Sequence, residues 1–170
     1  MMELAFNLNS KLSEVSEGFS QTAALIAVAV LAPFALGFMP GIANQLVVGT
    51  IVNFALAYCA IKVGGSMLKL APLIVLPSIG AYLSGIVFGV QTSSLLYIIP
   101  AIWLANAAYV FLAREKKVVE ASFAKASMLF AYATGLVLLG IVPAAFLIAM
   151  GPVQLATGLA GGFAAKRATA

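Results

Sequence analysis

Six apolar runs of membrane-spanning length, roughly residues 20–39, 42–61, 67–90, 93–113, 121–141 and 143–165, take up most of the chain. Crossing about 30 Å of hydrocarbon takes about 20 helical residues at about 1.5 Å each. Backbone in that medium must satisfy its own hydrogen bonds, and continuous apolar runs of this length do so as helices. The connections are short and rich in helix breakers: "MPG" at 39–41, "KVGGS" at 62–66, "VQTSS" at 90–94 and "REKKVVE" at 114–120, with a last break around Pro143. Composition agrees. The chain is 64% hydrophobic and 8% charged, against about 25% charged in a soluble domain. The predicted fold class is all-α: a polytopic bundle of six transmembrane helices over 20–165. A short segment, 1–19, precedes the bundle and a tail, 166–170, follows it.

The cations fall into order on this frame. Lys11 precedes the first run. Lys62 and Lys69 flank the connection after the second. Arg114, Lys116, Lys117 and Lys125 flank the one after the fourth, and Lys166 and Arg167 follow the sixth. All nine then lie on one side, which the positive-inside rule makes cytoplasmic, with both termini inside the cell membrane. In the first segment, Leu4, Leu8, Leu12, Val15 and Phe19 share one helical stripe, the pattern of a short helix along the inner interface. The net charge of +4 does not point to nucleic acid, because the cations sit at the ends of apolar runs. The expected surroundings are membrane lipid.

Two asparagines stand inside the apolar runs. Asn53 lies nine residues before Lys62, and Asn106 eight before Arg114, so the two reach similar depth. An unpaired amide in hydrocarbon costs several kcal/mol. Either they bond each other or a proline-freed carbonyl and tie helices together, or they line a polar cavity. Small residues mark close helix approach. Ala23 and Ala27 on the first run form a candidate partner interface; Ala145, Ala149, Gly158, Gly161 and Gly162 mark the sixth.

Chemistry is sparse. The sequence has no His and no Asp, and all five Glu residues lie outside the runs. No nucleophile–base pair, metal cluster or intramembrane proton carrier can be assembled, so no catalytic residue, metal or cofactor is expected and the chain is not read as an enzyme. "GGFAAKRAT" lacks the Gly-Lys-Ser/Thr core of a phosphate loop. The outer ends hold Asn44, Gln45, Gln91 and Gln154, with Tyr82, Tyr97 and Trp103 adding aromatic surface. These are the candidate ligand-binding residues; carboxamides and aromatics suit a flat neutral molecule. The alternative is an interfacial aromatic belt with solvated amides.

"VVGTIVNFALAYCAIKVGG", "LIVLPSIGAYLSGIVFG" and "YIIPAIWLANAAYVFLAREKK" follow one another over about residues 40–117. This succession, a Val-Asn helix, a Pro-Ser segment and a Pro-x-x-x-x-x-Asn helix, resembles the S components, the substrate-binding membrane subunits of energy-coupling factor transporters. The resemblance implies a binder of a vitamin or similar small molecule near the outer face. It also implies a transmembrane coupling subunit with ABC-type ATPases as partners, docked through small-residue faces such as Ala23 and Ala27. By position it offers Asn44, Gln45, Gln91, Tyr97 and Gln154 as substrate contacts. The predicted outer half carries no charge, which favours a neutral ligand. Beside this stands a different class: an accessory or scaffolding subunit of a larger membrane complex, with no ligand of its own.

Overall fold

The computed structural model describes residues 2–39, 41–64 and 67–170, with side chains from Ser20 onward. Among these residues every regular element is helical. α1 spans Met2–Ala35, α2 Gly41–Tyr58, α3 Met67–Ser84, α4 Thr92–Arg114, α5 Val118–Leu138, α6 Ala145–Met150 and α7 Pro152–Ala168. α2 ends in a wider π turn, Cys59–Val63, and a 3-10 turn, Gly89–Gln91, leads into α4. Five stretches are long and apolar enough to cross a membrane: Gly41–Val63, Met67–Ser84, Gly89–Arg114, Val118–Leu138 and Ala145–Ala168. Ser20–Ala35 is a shorter apolar stretch. The architecture is compatible with a multi-pass membrane protein.

Three expectations change in detail. The first segment and the first run form one helix, α1, with no break near residue 20. The side chains of the Leu4–Phe19 stripe, apart from that one fact of backbone, lie outside the described residues. The third run stops at Ser84 rather than 90, because Gly85 takes a left-handed φ of 66° that only glycine adopts freely. The sixth run is not one helix. It breaks at Gly151, and Pro152 starts α7 at the position where its missing N–H costs nothing. A Cβ on Gly151 would come within 2.6 Å of the Phe130 ring, so the break is also a point of close contact with α5.

The long helices close into a ring. α1 packs on α2, α2 on α7, α7 on α5, α5 on α4, α4 on α3, and α3 returns to α1. Glycines set the tightest seam. A Cβ on Gly161 of α7 would sit 2.5 Å from the backbone nitrogen of Phe54 and 2.6 Å from the Thr50 carbonyl, so α7 and α2 meet backbone to backbone. On the other flank of α7, Gly158 faces Ser122 and Gly162 faces Val118 and the Tyr109 hydroxyl. This small-residue helix can therefore approach two neighbours at once. The outer surface of the ring is apolar, with Leu104, Phe111, Phe123 and Phe163 exposed, as suits helices whose outer faces meet lipid.

Two core clusters fill the ring from its ends. One gathers Leu56, Cys59, Leu70, Leu73, Tyr109 and Val110 near the end that carries Lys62, Lys69, Arg114 and Lys166, the basic end. The other gathers Leu95, Ile98, Leu129, Phe146 and Met150 toward the opposite end. Between them the packing opens.

Candidate functional site

Three helices place a polar side chain at matched depth inside the ring. Asn53 lies ten residues before Val63, the end of the π turn of α2, and Asn106 lies eight before the end of α4. Lys125 lies seven residues after the start of α5. At about 1.5 Å per residue, each is about 10–15 Å from the basic end. Thr157 of α7 joins the same layer, nine residues before Lys166.

The layer is wired in one direction. Lys125 Nζ donates to Asn53 Oδ1 at 2.6 Å. Asn53 Nδ2 donates to Thr157 Oγ1 at 3.1 Å, and Thr157 Oγ1 donates to the Val153 carbonyl at 2.9 Å. The Tyr109 ring lies 5.5 Å from Lys125 Nζ, and its hydroxyl donates to the Gly158 carbonyl at 2.8 Å. Lys125, Asn53, Asn106 and Thr157 are all buried.

The two asparagines do not bond each other. Asn106 Nδ2 donates to the Ile74 carbonyl at 2.9 Å. That carbonyl is the neighbour of Leu73, whose own carbonyl is the one left without a helical donor by Pro77. Asn106 thus does tie α4 to the proline-bent part of α3, one residue from the freed carbonyl. Its Oδ1 is buried with no partner among the described residues.

Above this layer lies a cavity of about 80 Å³, lined from all sides of the ring except α1. Asn53, Asn106 and Lys125 form its polar floor. Gln45 and Gln154 stand on its walls nearer the opposite end, and Val48, Leu95, Ile102, Phe88, Met150 and Val153 make most of the rest. At about 10–15 Å³ per water position, the volume holds roughly five to eight waters or a compact solute. Ser78 also lines it and accepts a hydrogen bond from Trp103 Nε1 at 2.9 Å.

The sequence-based candidates divide. Gln45 and Gln154 line the cavity; Gln45 Nε2 also donates to the Val87 carbonyl at 3.1 Å and so pins the loop over it. Trp103 reaches it only through Ser78. Asn44 does not: it is fully buried and donates to the Leu36 carbonyl at 2.7 Å, holding the α1–α2 connection. Tyr97 points away, 54% exposed, on the same outward face as Leu104 and Phe111. Gln91 belongs to the 3-10 turn before α4, and Tyr82 packs against the second core cluster; neither lines the cavity. Ala23 and Ala27 are exposed on α1.

Lys125 is the residue that the sequence reading misassigned. It is not a cation flanking the connection after α4 but a 3%-exposed side chain at the cavity floor. The cavity therefore has a cation at its inner end, while the outer part of its lining, at Gln45 and Gln154, carries no charge. A signal was present: Val118, Ala121, Ser122, Lys125 and Leu129 recur at helical spacing and are all buried, while Glu120 and Ser127 fall on the exposed face.

No family model, curated protein or solved structure matches the chain.

Proposed function

We propose that this protein is the solute-binding membrane subunit of an uptake system, holding a small molecule in the cavity at the centre of its helix ring. The observation that carries this reading is the polar floor. Asn53, Asn106 and Lys125 converge from three helices on open space: the two asparagines do not pair with each other, and Lys125, though bonded to Asn53, still lines the cavity. Membrane interiors bear buried polar and ionisable groups at a cost, and where they line a void they mark binding or passage of a solute. A scaffolding subunit would have no use for that void.

In this reading the apolar part of α1 supplies the sixth span, both termini and the basic end face the cytoplasm, and the bundle sits in the cell membrane with the cavity toward the outer face. In the same reading, energy for uptake comes from a separate coupling subunit and its ATPases, with the exposed small residues Ala23 and Ala27 of α1 as the docking face. Thiol accessibility in intact cells tests the outward cavity. Val153 is buried against it. With Cys59 changed to Ala, the Val153→Cys variant is expected to react with a small membrane-impermeant methanethiosulfonate added outside. No reaction from either side of the membrane would mean a filled bundle and would overturn the reading.

A further inference from the structure

We propose that the cavity takes a small monocarboxylate, with Lys125 as its counter-ion; the assignment rests on the solute-binding reading above. An ammonium in a low-dielectric interior needs a counter-charge or a full set of acceptors. Lys125 has neither. Of its three N–H donors one goes to Asn53 Oδ1. Among the described residues no carboxylate pairs with it: Glu115 is engaged with Lys117 at the surface, and Glu120 is exposed. Asn53 cannot turn to offer more, because Thr157 fixes its amide from the other side.

The shape of the site narrows the class. One cation balances one negative charge. Around Lys125 the lining comes from the interiors of α2, α4 and α5, whose backbone N–H groups are held within those helices, so among the described residues the floor has no nest of amides to meet the several oxygens of a phosphate. A carboxylate fits two remaining ammonium N–H groups. Above Lys125 the walls are Val48, Leu95, Ile102 and Met150, which suit an apolar body, and Gln45 and Gln154 offer amides toward its far end. About 80 Å³ limits that body to a compact one.

Trp103 is the single tryptophan and is bonded to Ser78 on the cavity wall, so its emission reports occupancy. The test titrates the full chain in nanodiscs with straight-chain monocarboxylates from acetate to octanoate and with the matching primary amides. At least one carboxylate is expected to bind about tenfold or more tighter than its amide, as a charge-assisted contact replaces a neutral one. Lys125→Met should weaken that carboxylate by about thirtyfold or more, the range for removing one partner of a desolvated ion pair, while its amide still binds. Lys125→Arg should keep the preference for the acid, and it carries the test should Lys125→Met not fold. Equal binding of acid and amide by the native chain, or undiminished acid binding by Lys125→Met, overturns the carboxylate assignment and leaves solute binding standing. Absence of binding across both series overturns both.

Discussion

Lys125 Nζ lies 2.6 Å from Asn53 Oδ1 and joins α5 to α2, the two helices that flank α7 on either side. The contact makes one buried cation depend on one amide, and the amide in turn depends on Thr157. Removing the amide alone should therefore cost more than removing both groups.

Asn53→Leu leaves the ammonium without its side-chain acceptor. We expect a loss of about 3 kcal/mol or more, since an unsatisfied buried donor costs about 1–3 kcal/mol and a charged one more. Lys125→Met in the same chain should recover most of it, since an apolar pair of similar volume removes the charge as well. Thermal unfolding of the two single variants and the double variant closes the cycle; additive losses would contradict the dependence.

The α2–α7 seam predicts a contrast between two glycines. Gly161→Ala pushes a methyl group into the backbone of Phe54 and Thr50, which cannot give way as a side chain can. A loss of about 1–3 kcal/mol is expected. Gly135→Ala, on an exposed part of α5 with open space around it, should instead be neutral or stabilise by up to about 1 kcal/mol. Melting temperatures of the two variants in one detergent make the comparison.

Ser78 is the hydrogen-bond acceptor of Trp103 Nε1. Ser78→Ala leaves the indole N–H unpaired, costing about 1–3 kcal/mol, and should shift tryptophan emission to shorter wavelength. An unchanged spectrum would mean that Trp103 has another partner.

Much of this was legible in the sequence, and the exceptions have a common cause. Depth along a helix is a matter of counting, so Asn53 and Asn106 came out level. Gly158, Gly161 and Gly162 likewise announced a helix that packs closely on its neighbours. Azimuth is harder. Tyr97 and Asn106 are both polar residues of α4, yet one faces outward with Leu104 and the other inward with Tyr109. In a soluble helix the polar face would point to water and set the phase. In this chain both faces are apolar, and the phase must come from the neighbours. Lys125 was lost for the same reason: a lysine seven residues past a basic cluster looks like part of that cluster until the buried face of α5 is known. The Gly-Pro pair at 151–152 marks the break in α6–α7, but the Phe130 ring packed against Gly151, a contact made across 21 residues of sequence, does not show in the sequence.

The surface pair in the α4–α5 turn is predicted to matter little. Lys117 Nζ lies 2.5 Å from Glu115 Oε2, with both side chains about half exposed. The hydrogen bond and charge of Glu115 raise the Lys117 pKa above its usual 10.5. A base held above its unfolded pKa contributes fully below that value and loses its contribution as pH rises through the folded one. Solvent screens such pairs, so Glu115→Gln should leave the melting temperature at pH 7 unchanged within error, and any difference between native and variant should disappear in strong alkali.

The most direct test of the central claim is native mass spectrometry of the protein extracted gently from the membrane that made it. The account predicts a bound molecule of small mass on the native chain, reduced or absent on the Lys125→Met variant. A chain that carries no small molecule and leaves the membrane only with larger protein partners would contradict it, and would make the bundle a structural subunit.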